Sequence, residues 1–173
     1  MQDKLRKRYQ VHREVAQSGR FEGEIELSDL KRLGEMLYPG SDELRERKIA
    51  LSFEFARSEF DVPMLAGHLQ ADLVLECQRC LQSLEMPLEL DFKLLIDAND
   101  DIVQHSSEDT LYSEDGYIDI VEVVEDELIL AIPLVAMHED RACNGNWQVS
   151  EPAPEIAKTE NPFSVLQQLK TTD

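Results

Sequence analysis

The sequence predicts an α+β fold: a mainly antiparallel, curled β-sheet, barrel-like in its curvature, with a few peripheral helices. Three observations carry that prediction. Ile49, Leu51, Phe53 and Phe55 alternate with small or charged residues, as a half-buried strand requires. Leu69, Ala71, Leu73 and Leu75 alternate with Cys77 in the same phase, and Leu84, Met86, Leu88, Leu90, Phe92 and Leu94 follow without a slip. Only the link CQRCLQS separates those two runs, so they should form an antiparallel pair. Farther on, Ile120, Val124 and Leu128 recur at helical spacing.

The elements follow in order. Lys4, Arg6, Lys7, Arg8 and Arg13 cluster in residues 1–20, which read as a basic arm able to touch RNA. Phe21 to Leu27 alternates and forms a short strand. Ser28 then serves as an N-cap for a helix with Leu30, Leu33 and Leu37 on one side, stopped at Pro39-Gly40. Residues 97–116 (DANDDIVQHSSEDTLYSEDG) lack periodicity and read as an exposed acidic loop. Asp119, with Glu122 three positions on, makes a capping box for the helix of Ile120, Val124 and Leu128, which Pro133 bounds. Residues 1–150 thus form a single domain. Residues 151–173 are a polar linker and a terminal helix, with Asn161 as N-cap, Pro162 at the first position and Phe163, Leu166 and Leu169 on one side.

Composition limits the function. A chain of 173 residues with 42% hydrophobic residues can bury a core without covalent staples, and three cysteines do not make a disulfide framework. No apolar run reaches the ~18 residues of a membrane helix, and the N-terminus lacks a signal-peptide core, so a cytoplasmic protein is expected. The formal net charge of -19 repels phosphate over most of the surface and argues against broad nucleic-acid binding. That charge is uneven. No Lys or Arg occurs between Lys93 and Arg141, while Asp97 to Glu127 supplies twelve acids. Within that stretch Asp100, Asp101, Glu108, Asp109, Glu114 and Asp115 form an acidic face suited to a basic partner, or one that simply keeps the chain soluble.

Cys77 and Cys80 form the one chemically suggestive motif. In redox enzymes a C-x-x-C opens a helix whose N-terminus lowers the thiol pKa, but here strand alternation and Pro87 follow it. A hairpin tip, in contrast, places two thiolates around one zinc ion, and His138 with Cys143 supplies a second pair of ligands. Two small, partly buried cysteines near a sheet end fit the same spacing, so both readings stand. No Gly-rich phosphate loop, G-x-S-x-G or H-E-x-x-H pattern is present, and His138 has no nucleophile partner except Cys143. No catalytic residue is assigned.

Three stretches together resemble a known family. LVLECQRCLQSLEMPLEL, then IDIVEVVEDELILAIPLVAMHED with Cys143 after it, and the closing NPFSVLQQLK are similar in order and separation to the bacterial YceD family. The resemblance spans about Leu69 to Lys170 and implies a role in synthesis, processing or stability of large-subunit (23S) ribosomal RNA. It brings no catalytic residues. Some relatives carry more cysteines after the position of Pro133, so a zinc site here would be a reduced version. Combined with the charge, the resemblance implies a non-enzymatic ribosome-biogenesis factor, an acidic adaptor binding a basic ribosomal protein or assembly factor on large-subunit precursors. An enzyme that processes or modifies precursor rRNA is one alternative. A zinc-binding protein-interaction module without a ribosomal role is another.

Overall fold

The computed structural model describes residues 5–39, 46–97, 109–113, 115–139 and 143. Three consecutive strands, β3 (Lys48–Arg57), β4 (Pro63–Glu76) and β5 (Ser83–Asp97), form its frame. Strand β2 (Arg20–Glu26) pairs antiparallel with β3, and β6 (Thr110–Tyr112) pairs parallel with β5, giving the order β2-β3-β4-β5-β6. The sheet curls into a half-barrel. The alternation explains this directly. Ile49, Leu51, Phe53 and Phe55 of β3 are buried with Leu65, Leu69, Ala71 and Leu73 of β4 and Phe92, Leu94 and Ile96 of β5, while the intervening residues are largely more exposed.

The concave side is filled by the remaining elements. β1 (Arg8–Gln10) pairs antiparallel with β7 (Tyr117–Asp119), and α1 (Val11–Ala16) continues from β1. Tyr9, buried at 1% exposure, meets the rings of Phe21, Phe53 and Phe55 at centroid distances of 4.7, 5.3 and 5.9 Å. The pairs with Phe21 and Phe53 are edge-on, and such pairs contribute roughly 0.5–1.5 kcal/mol each beyond area burial. The longest helix, α3 (Ile120–Ala131), buries Ile120, Val123, Val124 and Leu128 in the same core. Asp119 is its N-cap as expected, but the side chain accepts from the Val121 N–H at 2.9 Å, one position short of the Glu122 N–H that a capping box uses. Ile132 turns extended ahead of Pro133 and ends the helix.

Close backbone approach explains one glycine. At Gly67 an added Cβ would sit 2.7 Å from the Ser52 carbonyl oxygen and would clash with the Phe92 ring. Only glycine lets that ring lie across β4.

Several expectations change. Residues 5–20 are not a free basic arm but part of the fold, with Tyr9, Val11, Glu14 and Val15 buried. The helix expected from Ser28 to Tyr38 is only α2 (Lys31–Gly34), preceded by a 3-10 turn at Leu27–Asp29 that holds Ser28. Within the expected loop 97–116, Asp97 ends β5 and Thr110–Tyr112 form β6. The linker and helix of residues 151–173 lie outside the described residues.

Candidate metal centre

The hairpin joining β4 to β5 ends in a tight tip. Cys77 N–H donates to the Gln82 carbonyl at 2.9 Å, and Leu81 N–H donates back to the Cys77 carbonyl at 2.8 Å. Closing that turn puts Leu81 in the left-handed region, at φ 60, and leaves its side chain 60% exposed. Such a conformation is uncommon for a branched apolar residue and marks a backbone held by its surroundings.

The chain leaving α3 then crosses this tip. Gln78 N–H donates to the Ala136 carbonyl at 2.9 Å, its side-chain amide to the Leu134 carbonyl at 3.1 Å, and the Arg79 guanidinium to the His138 carbonyl at 2.8 Å. Leu75, Cys77, Leu84 and Ala136 form a small separate core beneath the crossing. These contacts bring His138 and Cys143 beside the C-x-x-C pair.

The four donor atoms of Cys77, Cys80, His138 and Cys143 all lie within 4.8 Å of one another. Cys77 Sγ is 4.0 Å from Cys143 Sγ, and Cys80 Sγ is 3.5 Å from His138 Nδ1. Tetrahedral zinc, with bonds of ~2.3 Å to sulfur and ~2.0 Å to nitrogen, holds its donors roughly 3.5–3.8 Å apart. The donor set fits such an ion, the Cys80–His138 separation already matches, and the Cys77–Cys143 separation would close by about 0.2 Å around it.

The surroundings prepare the ligands. His138 Nε2–H donates to the Ser83 carbonyl at 3.1 Å, which leaves the lone pair on Nδ1, the nitrogen facing Cys80. Burial pushes the Cys77 thiol up. The backbone N–H groups of Cys80, His138 and Arg79, with the Cys80 thiol, outweigh that and bring Cys77 down to about 5. Cys80 is lowered by the Gln82 N–H, but burial and the neighbouring sulfurs of Cys77 and Cys143 leave it raised overall. Arg79 Nε–H donates to Cys143 Sγ at 2.9 Å. Three thiolates around one divalent ion would leave a net negative charge, which this guanidinium would offset.

Arg79, Ser83 and Gln78 were not singled out from sequence. Arg79 stands inside CQRC itself, but only the fold shows that its side chain reaches Cys143.

The other predicted residues do not join this centre. Arg6 binds Glu14 at 3.2 Å and lies over the Tyr9 ring, and Arg8 lies over Tyr117. Lys7 and Arg13 are exposed, and Lys4 is outside the described residues. Of the six acids, Asp109 and Asp115 are exposed, while Asp100, Asp101, Glu108 and Glu114 are outside the described residues. Among those described, no helix is long and apolar enough to cross a membrane.

The hairpin, its crossing strap and the tail beyond Cys143 coincide with the match to known proteins. Residues 65–170 match the family described as "Large ribosomal RNA subunit accumulation protein YceD". The chain is also 38% identical, over 83% of its own length and 83% of the relative's, to the Haemophilus influenzae protein of that name. This chain belongs to the YceD family. A second relative, the uncharacterized protein YlbN of Bacillus subtilis, is 24% identical over 95% of each chain. No solved structure matches. The YceD match begins at the third residue of β4, so it covers all but the first two residues of the C-x-x-C hairpin, and all of α3.

Proposed function

We propose that this protein is a non-catalytic factor supporting accumulation of large-subunit rRNA. It acts as an acidic adaptor for a basic ribosomal protein or assembly factor and carries one structural zinc ion at the hairpin tip. The observation that carries the reading is the 38% identity, over most of both chains, to a relative named for large ribosomal RNA subunit accumulation. The tip geometry supports the non-catalytic part. Catalytic zinc keeps a coordination position open for water or substrate, whereas three thiols and an imidazole complete a tetrahedral set.

Zinc there would be held by Cys77, Cys80, His138 and Cys143, and its chemistry would be structural: tying the strap after α3 to the β4–β5 hairpin. The charge distribution supports a protein rather than RNA as the direct partner.

Depleting the protein from its cells and measuring mature 23S against 16S rRNA tests this reading. The ratio is expected to fall on depletion and recover with the wild-type chain. An unchanged ratio contradicts the role. Cleavage or modification of precursor rRNA by the purified protein alone would contradict the adaptor mechanism and favour an enzyme.

A further inference from the structure

A second surface lies along the β6 edge of the sheet, where α3 runs past β6. Between them is a groove of ~410 Å³. Its floor is apolar, with Leu94 and Val123 buried and Leu111 and Ile129 half-buried. Its rim is acidic, formed by Asp109, Asp126 and Glu127. An adjoining recess shares Thr110, Leu111, Val123 and Asp126 and extends the acidic rim to Glu122. Two exposed apolar side chains border these recesses, Leu130 at 79% and Tyr112 at 60%.

A merely solvated helix face does not need this arrangement. Glu122 and Asp126 are like charges one helical turn apart, a pairing that weakens a helix. Glu127 is held above its ordinary carboxylate range by burial, then by Asp109 and Asp126. Cations also line these recesses: Arg32, which binds Asp126 at 2.7 Å, and Arg8, which lies over the Tyr117 ring in the adjoining recess. Among the described residues, Asp109 and Glu127 have no cationic partner.

We propose that this groove is the docking site for an amphipathic, Lys/Arg-rich segment of a basic protein. Apolar side chains of that segment would cover the floor and Leu130, and its cations would meet Asp109 and Glu127. Charge complementarity selects the occupant. The chain's own residues 94–140 contain no Lys or Arg, so none of that stretch can neutralise the rim. RNA is disfavoured because the rim repels phosphate. This inference rests on the adaptor reading and gives it a location.

Site-specific photocrosslinking in living cells tests it, with full-length protein carrying p-benzoylphenylalanine in place of Leu130 or, in a separate variant, in place of Leu134. Leu134 is 98% exposed on the strap beside the metal centre and does not line the groove. Adducts from position 130 are expected to map by mass spectrometry to Lys/Arg-rich, apolar-containing segments of another protein. Adding Asp109→Asn with Glu127→Gln should cut their yield by about tenfold, with the thermal midpoint of the purified variant confirming its fold. Adducts from position 130 to this chain, to RNA or to an acidic segment overturn the groove assignment, as does a yield indifferent to the two neutralisations. If position 134 reaches a basic protein and position 130 does not, the groove is wrong and the adaptor reading stands. If neither position reaches a basic protein, both are wrong.

Discussion

Cys80 Sγ stands 3.5 Å from Nδ1 of His138, although 58 positions of chain separate the two residues. The Ser83 carbonyl fixes the other ring nitrogen as the donor, so the free lone pair faces the thiol. The strap after α3, anchored by the buried Ala136, and the hairpin tip thereby turn a thiol and an imidazole lone pair towards each other.

Metal removal should therefore loosen the tip while leaving the half-barrel folded. A ligand present at a thousandfold excess over its Kd stabilises by about 4 kcal/mol, so chelation should lower the thermal midpoint by roughly 10 °C in a domain of this size. Calorimetry with and without chelator measures it. Cys77→Ser should abolish the difference between the two scans, and a persistent difference would place the metal elsewhere.

Cys77 gives the metal-free protein a definite pH dependence. Its folded pKa of about 5 lies below the ordinary thiol value of 9.0. An acid depressed on folding contributes stability that is fully present above the unfolded value. That contribution is lost as pH falls through this window towards 5. Thiolate ultraviolet absorbance of the metal-free chain should persist to about pH 5. Its complete loss by about pH 8 would show an ordinary thiol.

Glu125 should be sensitive to truncation. Its carboxylate accepts from the Arg32 N–H at 2.7 Å, the Leu33 N–H at 3.2 Å and Arg32 Nε at 2.9 Å, clamping α2 to α3. Glu125→Ala strands the buried Leu33 N–H and the part-buried Arg32 N–H and should cost about 1–3 kcal/mol in urea unfolding. A neutral result would mean that water replaces the carboxylate freely.

Gly67→Ala should destabilise by roughly 1–3 kcal/mol, because the new methyl meets the Phe92 ring and the Ser52 carbonyl. Phe92→Leu in the same chain should recover part of that loss. Additive losses in the double variant would place the strain in the backbone contact instead.

The parts of the fold that were legible in sequence are those with one buried face and one solvated face. Most residues of β3, β4 and β5 report their side by polarity, Val74, Leu95 and the buried Asp97 being exceptions, and a hairpin follows from two such runs in sequence. Asp119 announced its helix because a cap is a local interaction. Nonlocal pairing was not legible. β1 and β7 are three residues each and exist because Tyr9 and Ile118 pair across the chain. The clustered arginines near the N-terminus looked solvated, although Tyr9, Val11 and Val15 among them were a signal of burial. β6 was hidden because a three-residue edge strand has too few positions to show a period.

At the site, residue types and spacing named four candidate ligands, and the fold brings their donor atoms together. Arg79 and the Ser83 carbonyl were out of reach, since one depends on where a side chain extends and the other on a backbone atom.

Zinc stoichiometry tests the central claim most directly. Protein purified without a histidine tag, measured by elemental analysis, should carry one zinc per chain, and Cys80→Ser or His138→Ala should lower that content sharply. Wild-type protein that takes up no zinc when reduced, or variants that retain it fully, would contradict a metal centre at Cys77, Cys80, His138 and Cys143.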